Sequence, residues 1–437
     1  MSDTGVFDVA IVGASLAGST AAALLARDGA RVALIERHAD PVAFKQPCTH
    51  FIQPSALPVL QRLGLDQAIE QVGGLRNPIE TWTPHGWIGH ALSDEDDDGD
   101  LHGFNLRREV LDPLVRRTAL QTPGVTGLQG ATALGLVRND DEQIRGVVVR
   151  HGGGIREVHA RLVVAADGRM SDLARLAGVP TRRVDNGRHS ILLSVRGARH
   201  QRGSLSQMWM SGPDVAYAFP NDSGVSVLAW VAPKAWLASL SREQQVAALK
   251  ARFAELPDAP DLHNAEPVGS PMAVKDHPCL WRPAAFHGMA LIGDAATSLD
   301  YLYGIGCGWA FQSAAWLADE VRGVLQKGGA PLDRAVAAYA RMHDRQVGPH
   351  RFFINDFAQR QALNPLEHLF FSAAARDRRV AQQVVRVGSR LSTPWSMLRP
   401  DLLARSLWAH VRHPHAPVEG TRVASPPPAP KAWARAA

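Results

Sequence analysis

The first residues whose types and spacing could do chemistry are two glycines and an acid. Gly13 and Gly18 bracket the turn Ala14-Ser15-Leu16-Ala17, and Glu36 closes the next apolar run. Phe7 to Val12 (FDVAIV) reads as a buried strand, Ser19 to Arg27 as a helix, and Arg31 to Glu36 (RVALIE) as a second strand. Strand, glycine turn, helix, strand and acid, in that order, is the arrangement a dinucleotide site requires. Gly13 makes the tight turn, and Gly18 lets the helix lie close against the sheet. The unpaired N–H groups of the first helical turn then face a pyrophosphate. Glu36 can accept hydrogen bonds from the adenosine ribose hydroxyls. Ser15 takes the place of the usual middle glycine and is still small. Without the flanking strands and the acid, the same glycines would mark only an ordinary strand-to-helix turn.

Two further turns follow buried runs. Ala160 to Ala166 (ARLVVAA) leads into Asp167-Gly168-Arg169-Met170-Ser171, and Met289 to Ile292 (MALI) leads into Gly293-Asp294-Ala295-Ala296. A glycine-rich turn, Gly304-Ile305-Gly306-Cys307-Gly308, then opens a helix from about Trp309 to Leu325. With GASLAG at 13–18, ADGRMS at 166–171, GDAA at 293–296 and Arg108-x-x-Leu111-Asp112, the chain resembles the FAD-dependent enzymes of the aromatic-hydroxylase fold. That superfamily includes single-component aromatic hydroxylases, flavin-dependent halogenases and geranylgeranyl-reductase-type enzymes. The motifs cover roughly residues 5–330 and are far more specific for the fold than for the reaction.

The resemblance implies one FAD, held by Gly13, Ser15, Leu16, Ala17, Gly18, Glu36, Arg37, Arg108, Asp167, Asp294, Gly304, Ile305 and Gly306. Asp294 would bind ribityl hydroxyls near the pyrophosphate. Gly304 and Gly306 would bring backbone to the isoalloxazine ring. The helix beginning near Gly308 would aim its positive end at the pyrimidine side. Arg108 would lie close to the cofactor, and Asp167 with Gly168 would form the turn linking the two domains' shared site. The chain departs from the family pattern at Ser15, at Tyr301 where proline is frequent, and at Arg175, which stands one residue beyond the usual arginine with Ala174 in its place.

The flavin would carry the redox chemistry and the protein would shape a dry pocket. The leading expectation is a monooxygenase that uses NADH or NADPH as transient reductant. Through a flavin hydroperoxide it would hydroxylate or epoxidise an aromatic or polyketide-like small molecule of secondary metabolism. Reduced flavin regenerated by a partner reductase is the other supply. Candidate pocket residues are Trp209, Met210, Tyr217, Phe219, Trp230, Tyr301 and Tyr303, although Trp209, Tyr217 and Trp230 suit a plain sheet core equally. His50 could shuttle a proton, since histidine titrates near neutrality. Asp300 could orient a substrate hydroxyl or cap the approach to the next helix.

Three alternatives stay open. One is a halogenase, although WxWxIP is absent and neither Lys45 nor Lys275 is placed by motif. Another is a reductase of an unsaturated, isoprenoid-like intermediate. The third, from a different class, is a flavin-binding protein without turnover.

The elements that must position these residues form an α/β protein. It is expected to have a discontinuous Rossmann-like FAD-binding domain at 1–80, 103–180 and 272–330. Inserts at 81–102 and 181–271 would make an antiparallel-sheet substrate domain. Its runs at 190–195, 207–210 and 226–231 are separated by turn-forming residues. Residues 331–411 read as a helical region, packed on the FAD domain or offering a homodimer or weak membrane contact. Residues 412–437 read as a disordered tail, and the acidic run 94–100 as a solvated loop.

Composition narrows the function class. At 437 residues and 46% hydrophobic content, a large core is within reach. A net charge of +5, without a basic stripe interleaved with aromatics, argues against nucleic acid. Cys48, Cys279 and Cys307 lack the spacing of a zinc site or a disulfide framework, so no metal is expected. No signal peptide is read at the start, and no apolar run reaches the ~20 residues that span a bilayer. The cytoplasm is the expected compartment.

Overall fold

The computed structural model describes residues 7–89, 101–360 and 362–413. The acidic run 94–100 and the tail from Pro414 lie outside them. The glycine turn joins β1 (Phe7–Val12) to α1 (Leu16–Arg27), and β2 (Val32–Glu36) returns parallel to β1. Further along come β3 (Ile79–Thr83), α2 (Arg108–Gln121), β4 (Val125–Gln129) and β5 (Gly154–Ala165). They are followed by β6 (Arg188–Arg196), β7 (Ser206–Ser211), β8 (Asp214–Pro220), β9 (Val225–Pro233) and α3 (Gln244–Ala254). The last part holds β10 (Met289–Leu291), α4 (Gly306–Val321), α5 (Gly329–Gln359), α6 (Pro365–Ala374), α7 (Arg378–Gly388) and α8 (Pro400–Arg412).

One sheet is built mainly on parallel strands. Its parallel strands run β10, β5, β1, β2, β4. β1 and β2 are apolar apart from Asp8 and the terminal Glu36, because a parallel strand is covered on both faces. α1 is alanine-rich and buried almost all round, since it lies between this sheet and α4. The fold is therefore the expected α/β class, with a second sheet and C-terminal helices.

The second sheet carries β6, β9, β8, β7 and β3 in that order, antiparallel except for β7 beside β3. Its alternating residues feed two separate cores. Met208, Met210, Tyr217 and Phe219 face one side, where they join Phe370, Phe371 and Val380 of α6 and α7. Trp209 and Trp230 face the other, where they pack with Trp82 and with Leu249 and Phe253 of α3. The short strand Met272–Val274 pairs with β6, so the sheet reaches past the boundary at 271 read from the sequence. The helices after α5 roof the inner face of this second sheet, and α8 runs to Arg412, one residue into the segment read as tail.

Candidate active site

The site begins at the glycine turn. Gly13 has φ +103°, and a methyl there would run into the Ala166 carbonyl, so the turn presses against the start of the Asp167-Gly168 turn. A methyl at Gly18 would strike the Gly13 carbonyl. Only glycine lets helix, turn and sheet meet this closely. Ser15 is the N-cap of α1, but its side chain makes no capping bond. The first N–H groups of α1, including those of Leu16 and Ala17, thus remain open to a ligand.

Glu36 is fixed in place by two backbone donors. The Ala14 N–H donates to Oε2 at 2.8 Å and the His38 N–H to Oε1 at 2.9 Å. Arg37, next in the chain, is exposed. A buried arginine locks the other side of the turn. Arg108 makes two bonds to Asp112, Nε to Oδ1 at 2.6 Å and Nη2 to Oδ2 at 2.8 Å, and Nη2 also donates to Ser15 Oγ at 2.9 Å. Burial alone would lower the Arg108 pKa, but the Asp112 carboxylate together with the Cys307 and Cys48 sulfurs raises it well above its ordinary value, so the guanidinium stays charged.

Asp294 lies in the GDAA turn after β10. Gly293 has φ +56°, and a methyl there would press on the Ala17 side chain, which brings the Asp294 turn against the first turn of α1. The Lys45 ammonium pairs with Asp294. Burial pushes the Asp294 carboxyl up, yet Lys45 foremost, with His277 and Arg108, holds it below its ordinary value. Gly304 has φ +61° and packs over Thr49 and Phe51. Beyond Gly304 and the buried Ile305, α4 starts at Gly306 with no side-chain cap and no acid in its first turn. Space beside the Gly306 backbone is open.

These features fit FAD. Two uncapped helix ends face the same region, an acid stands at the end of β2, and glycines line the approach. Asp167 Oδ1 is buried without a partner, while its Oδ2 accepts from the Leu173 N–H at 3.0 Å.

A profile described as "FAD binding domain" matches residues 6–341. The chain belongs to that family. It is 27% identical over 326 residues to 3-demethoxyubiquinol 3-hydroxylase of Escherichia coli, covering 71% of this chain and 78% of that one. It is 28% identical over 331 residues to ubiquinone hydroxylase UbiL of Rhodospirillum rubrum, covering 72% of each. The solved structure of the flavin-dependent brominase Bmp2 superposes with a TM-score of 0.72 at 19% identity, over 93% of this chain and 99% of that one, and so shares the fold. The protein is an FAD-dependent oxidoreductase of a monooxygenase and hydroxylase family.

The structure revises three of the residues read from sequence. Trp209 and Trp230 belong to the outer core and not to the pocket wall, because each is one strand position out of phase with Met208, Met210 and Tyr217. Asp300 is not free to meet a substrate hydroxyl. It is 1% exposed and pairs with Arg188, while Oδ2 accepts from Asn186 Nδ2 at 2.6 Å and Oδ1 from the Leu302 N–H at 3.0 Å. It ties the second sheet to the turn before α4.

The remaining candidates cluster. Tyr217 donates its hydroxyl to the Tyr301 carbonyl at 2.9 Å, and Phe219 packs on Phe51 with ring centroids 5.4 Å apart. Tyr301 stacks on His277 at 4.7 Å, and burial above all pulls the His277 pKa to about 4. Tyr303 and Met210 line a narrow cavity with Met208, Ile79, Gln53 and Phe371. His50 is buried, and its Nδ1 accepts the Arg108 N–H at 2.9 Å, which caps α2. Burial is also the first cause lowering its pKa, so the ring is neutral with the proton on Nε2.

Four residues to which the sequence assigned no site role stand here. Arg116 donates to the Ala14, Pro41 and Ala43 carbonyls and fastens the loop before His50 to the glycine turn. Lys45 covers Asp294. Cys48 and Cys307 bring their sulfurs to 3.8 Å, with the Cys48 thiol pushed well down by the Cys307 hydrogen bond and the Cys307 thiol pushed up. Each contact joins segments distant in the chain, so only the glycine motif beside Cys307 offered a local signal.

Proposed function

We propose that the protein is a monooxygenase that uses NADH or NADPH to insert one oxygen atom into an electron-rich aromatic or polyketide-like small molecule. The observation that carries this reading is the narrow apolar cavity between the inner face of the second sheet and Tyr303 of the turn before α4. Met208, Met210, Ile79 and Phe371 supply its wall. Bound FAD would supply oxygen activation and electron transfer there. The wall keeps water from that chemistry. Gln53 holds the geometry, donating from Nε2 to the Tyr303 and Gly388 carbonyls at 2.6 and 2.9 Å. Arg108, Asp294 and the open ends of α1 and α4 would hold the cofactor. The two hydroxylase relatives, named for ubiquinone-type compounds, support an electron-rich ring as the acceptor.

The halogenase reading lacks support from lysine placement, because the Lys45 ammonium is committed to Asp294 and does not line the cavity. The reading is tested with a small library of phenols and hydroquinones under labelled O2. One labelled oxygen atom in the organic product, formed only with NADH or NADPH, is the expected result. Reduction of an added alkene without oxygen uptake would overturn it in favour of a reductase. NAD(P)H consumption that no compound alters would favour a protein without turnover.

A further inference from the structure

A second cavity, of about 100 Å³, lies behind α4 and is lined by polar groups. Its walls are Trp309, Gln312 and Trp316 of α4, Gln346 and His350 of α5, and Arg390 with the residues that follow α7. Arg390 is 9% exposed, and no carboxylate pairs with it among the described residues. Its Nε donates to Gln53 Oε1 and its Nη2 to Ser55 Oγ at 2.8 Å, both neutral acceptors. Its Nη1 is buried with no partner. The guanidinium packs on the Trp309 ring at 5.1 Å, and a methyl at Gly308 would collide with Nη2, so the cation sits beside the positive end of α4.

A buried cation at the positive end of a helix, with an empty donor position and no anion, is costly unless something neutralises it. Arg390 is also held at φ +59°, a left-handed conformation an arginine seldom adopts, which fixes its side chain toward Gln53 and Ser55. His350 feels the same positive field. Burial and then the Arg390 charge push its pKa down to about 3, so the ring stays neutral. The chemistry that completes this arrangement is an oxygen-bearing anion, since guanidinium and amide donors suit carboxylate and phosphate oxygens.

We propose that the cavity between α4, α5 and the segment after α7 binds a small oxyanion, a carboxylate or a group the size of inorganic phosphate, with Arg390 as its cationic partner. Trp309, Gln312 and Trp316 bound the space on the α4 side, and Gln346 and His350 bound it on the α5 side. The site is separate from the apolar cavity, and Gln53 stands between them by lining the one and accepting from Arg390 at the other.

The test is the melting temperature of the FAD-loaded protein against sodium acetate and, separately, inorganic phosphate. Ionic strength is held constant with sodium chloride, whose anion carries no oxygen. The expected result is a saturable rise of about 2–4 °C with at least one probe. A response to acetate alone assigns a carboxylate ligand, and a response to phosphate alone a phosphate. The rise should vanish in Arg390→Met. Gln346→Trp, at an exposed position on the cavity rim, should also abolish it while leaving FAD content unchanged, and it decides the matter if Arg390→Met does not fold. No rise in the wild type, or an equal and unsaturating rise in all three proteins, overturns the proposal.

Discussion

Asp294 carries the sharpest expectation at the scale of single residues. Asp294→Ala should lower FAD occupancy, read as the ratio of flavin to protein absorbance. Full occupancy at micromolar protein would remove its proposed role at the ribityl chain. The pair with Lys45 also sets a pH dependence. The Asp294 carboxyl is held below its ordinary 3.8, so it contributes stability above that value and loses it as pH falls through the lowered folded value. In apoprotein, Lys45→Met should therefore melt below the wild type at neutral pH, with the gap closing under about pH 4. A gap that persists unchanged at pH 3 would contradict the assignment. Asp300→Ala should cost about 3–5 kcal/mol in denaturant unfolding, because it strands the buried Arg188. For His50, whose Nδ1 caps α2, asparagine should preserve more flavin binding than alanine, since only asparagine keeps an acceptor for the Arg108 N–H.

At the scale of elements, strand phase decides which side chains meet a substrate. Trp209 lies in the outer core, so Trp209→Phe should lower stability by about 1–3 kcal/mol and leave substrate KM unchanged. Met208→Ala, on the cavity side, should shift KM instead. Equal KM effects at both positions would place the pocket elsewhere. The same contrast shows what the sequence could reveal. The glycine turn, β1, β2 and Glu36 were legible because their roles depend on neighbours a few residues away. The wall of the cavity was not, because aromatic size drew notice to Trp209 and Trp230 while the pleat put Met208 and Met210 inward. Neighbouring strand residues such as Trp209 and Met210 could never share one face. Asp300 accepts from the Leu302 N–H at the approach to α4, one of its two sequence readings, but its partners Arg188 and Asn186 are more than a hundred residues away in the chain and gave no local signal.

At the scale of the whole molecule, the parallel sheet presents α1 and α4 end-on to one region, and the second sheet with α6 and α7 closes over it. Arg116, Asp112, Lys45 and Asp300 join pieces far apart in the chain around that region, which is why the order of motifs announced the cofactor while the contacts that hold the site together stayed hidden. Among the described residues no helix is long and apolar enough to cross a membrane. α8 exposes Leu407 and Trp408, and the segment before it exposes Trp395.

The central claim is that this architecture couples a nicotinamide to an oxygen-inserting flavin through occupancy of the apolar cavity. Its most direct test is the rate at which bound flavin bleaches under anaerobic mixing with NADH and then NADPH, with and without a library of phenols and hydroquinones. The account predicts reduction by one nicotinamide that a cavity-filling compound accelerates in the wild type and accelerates less in Met208→Ala. Flavin that stays oxidised with both nicotinamides and every compound would contradict it.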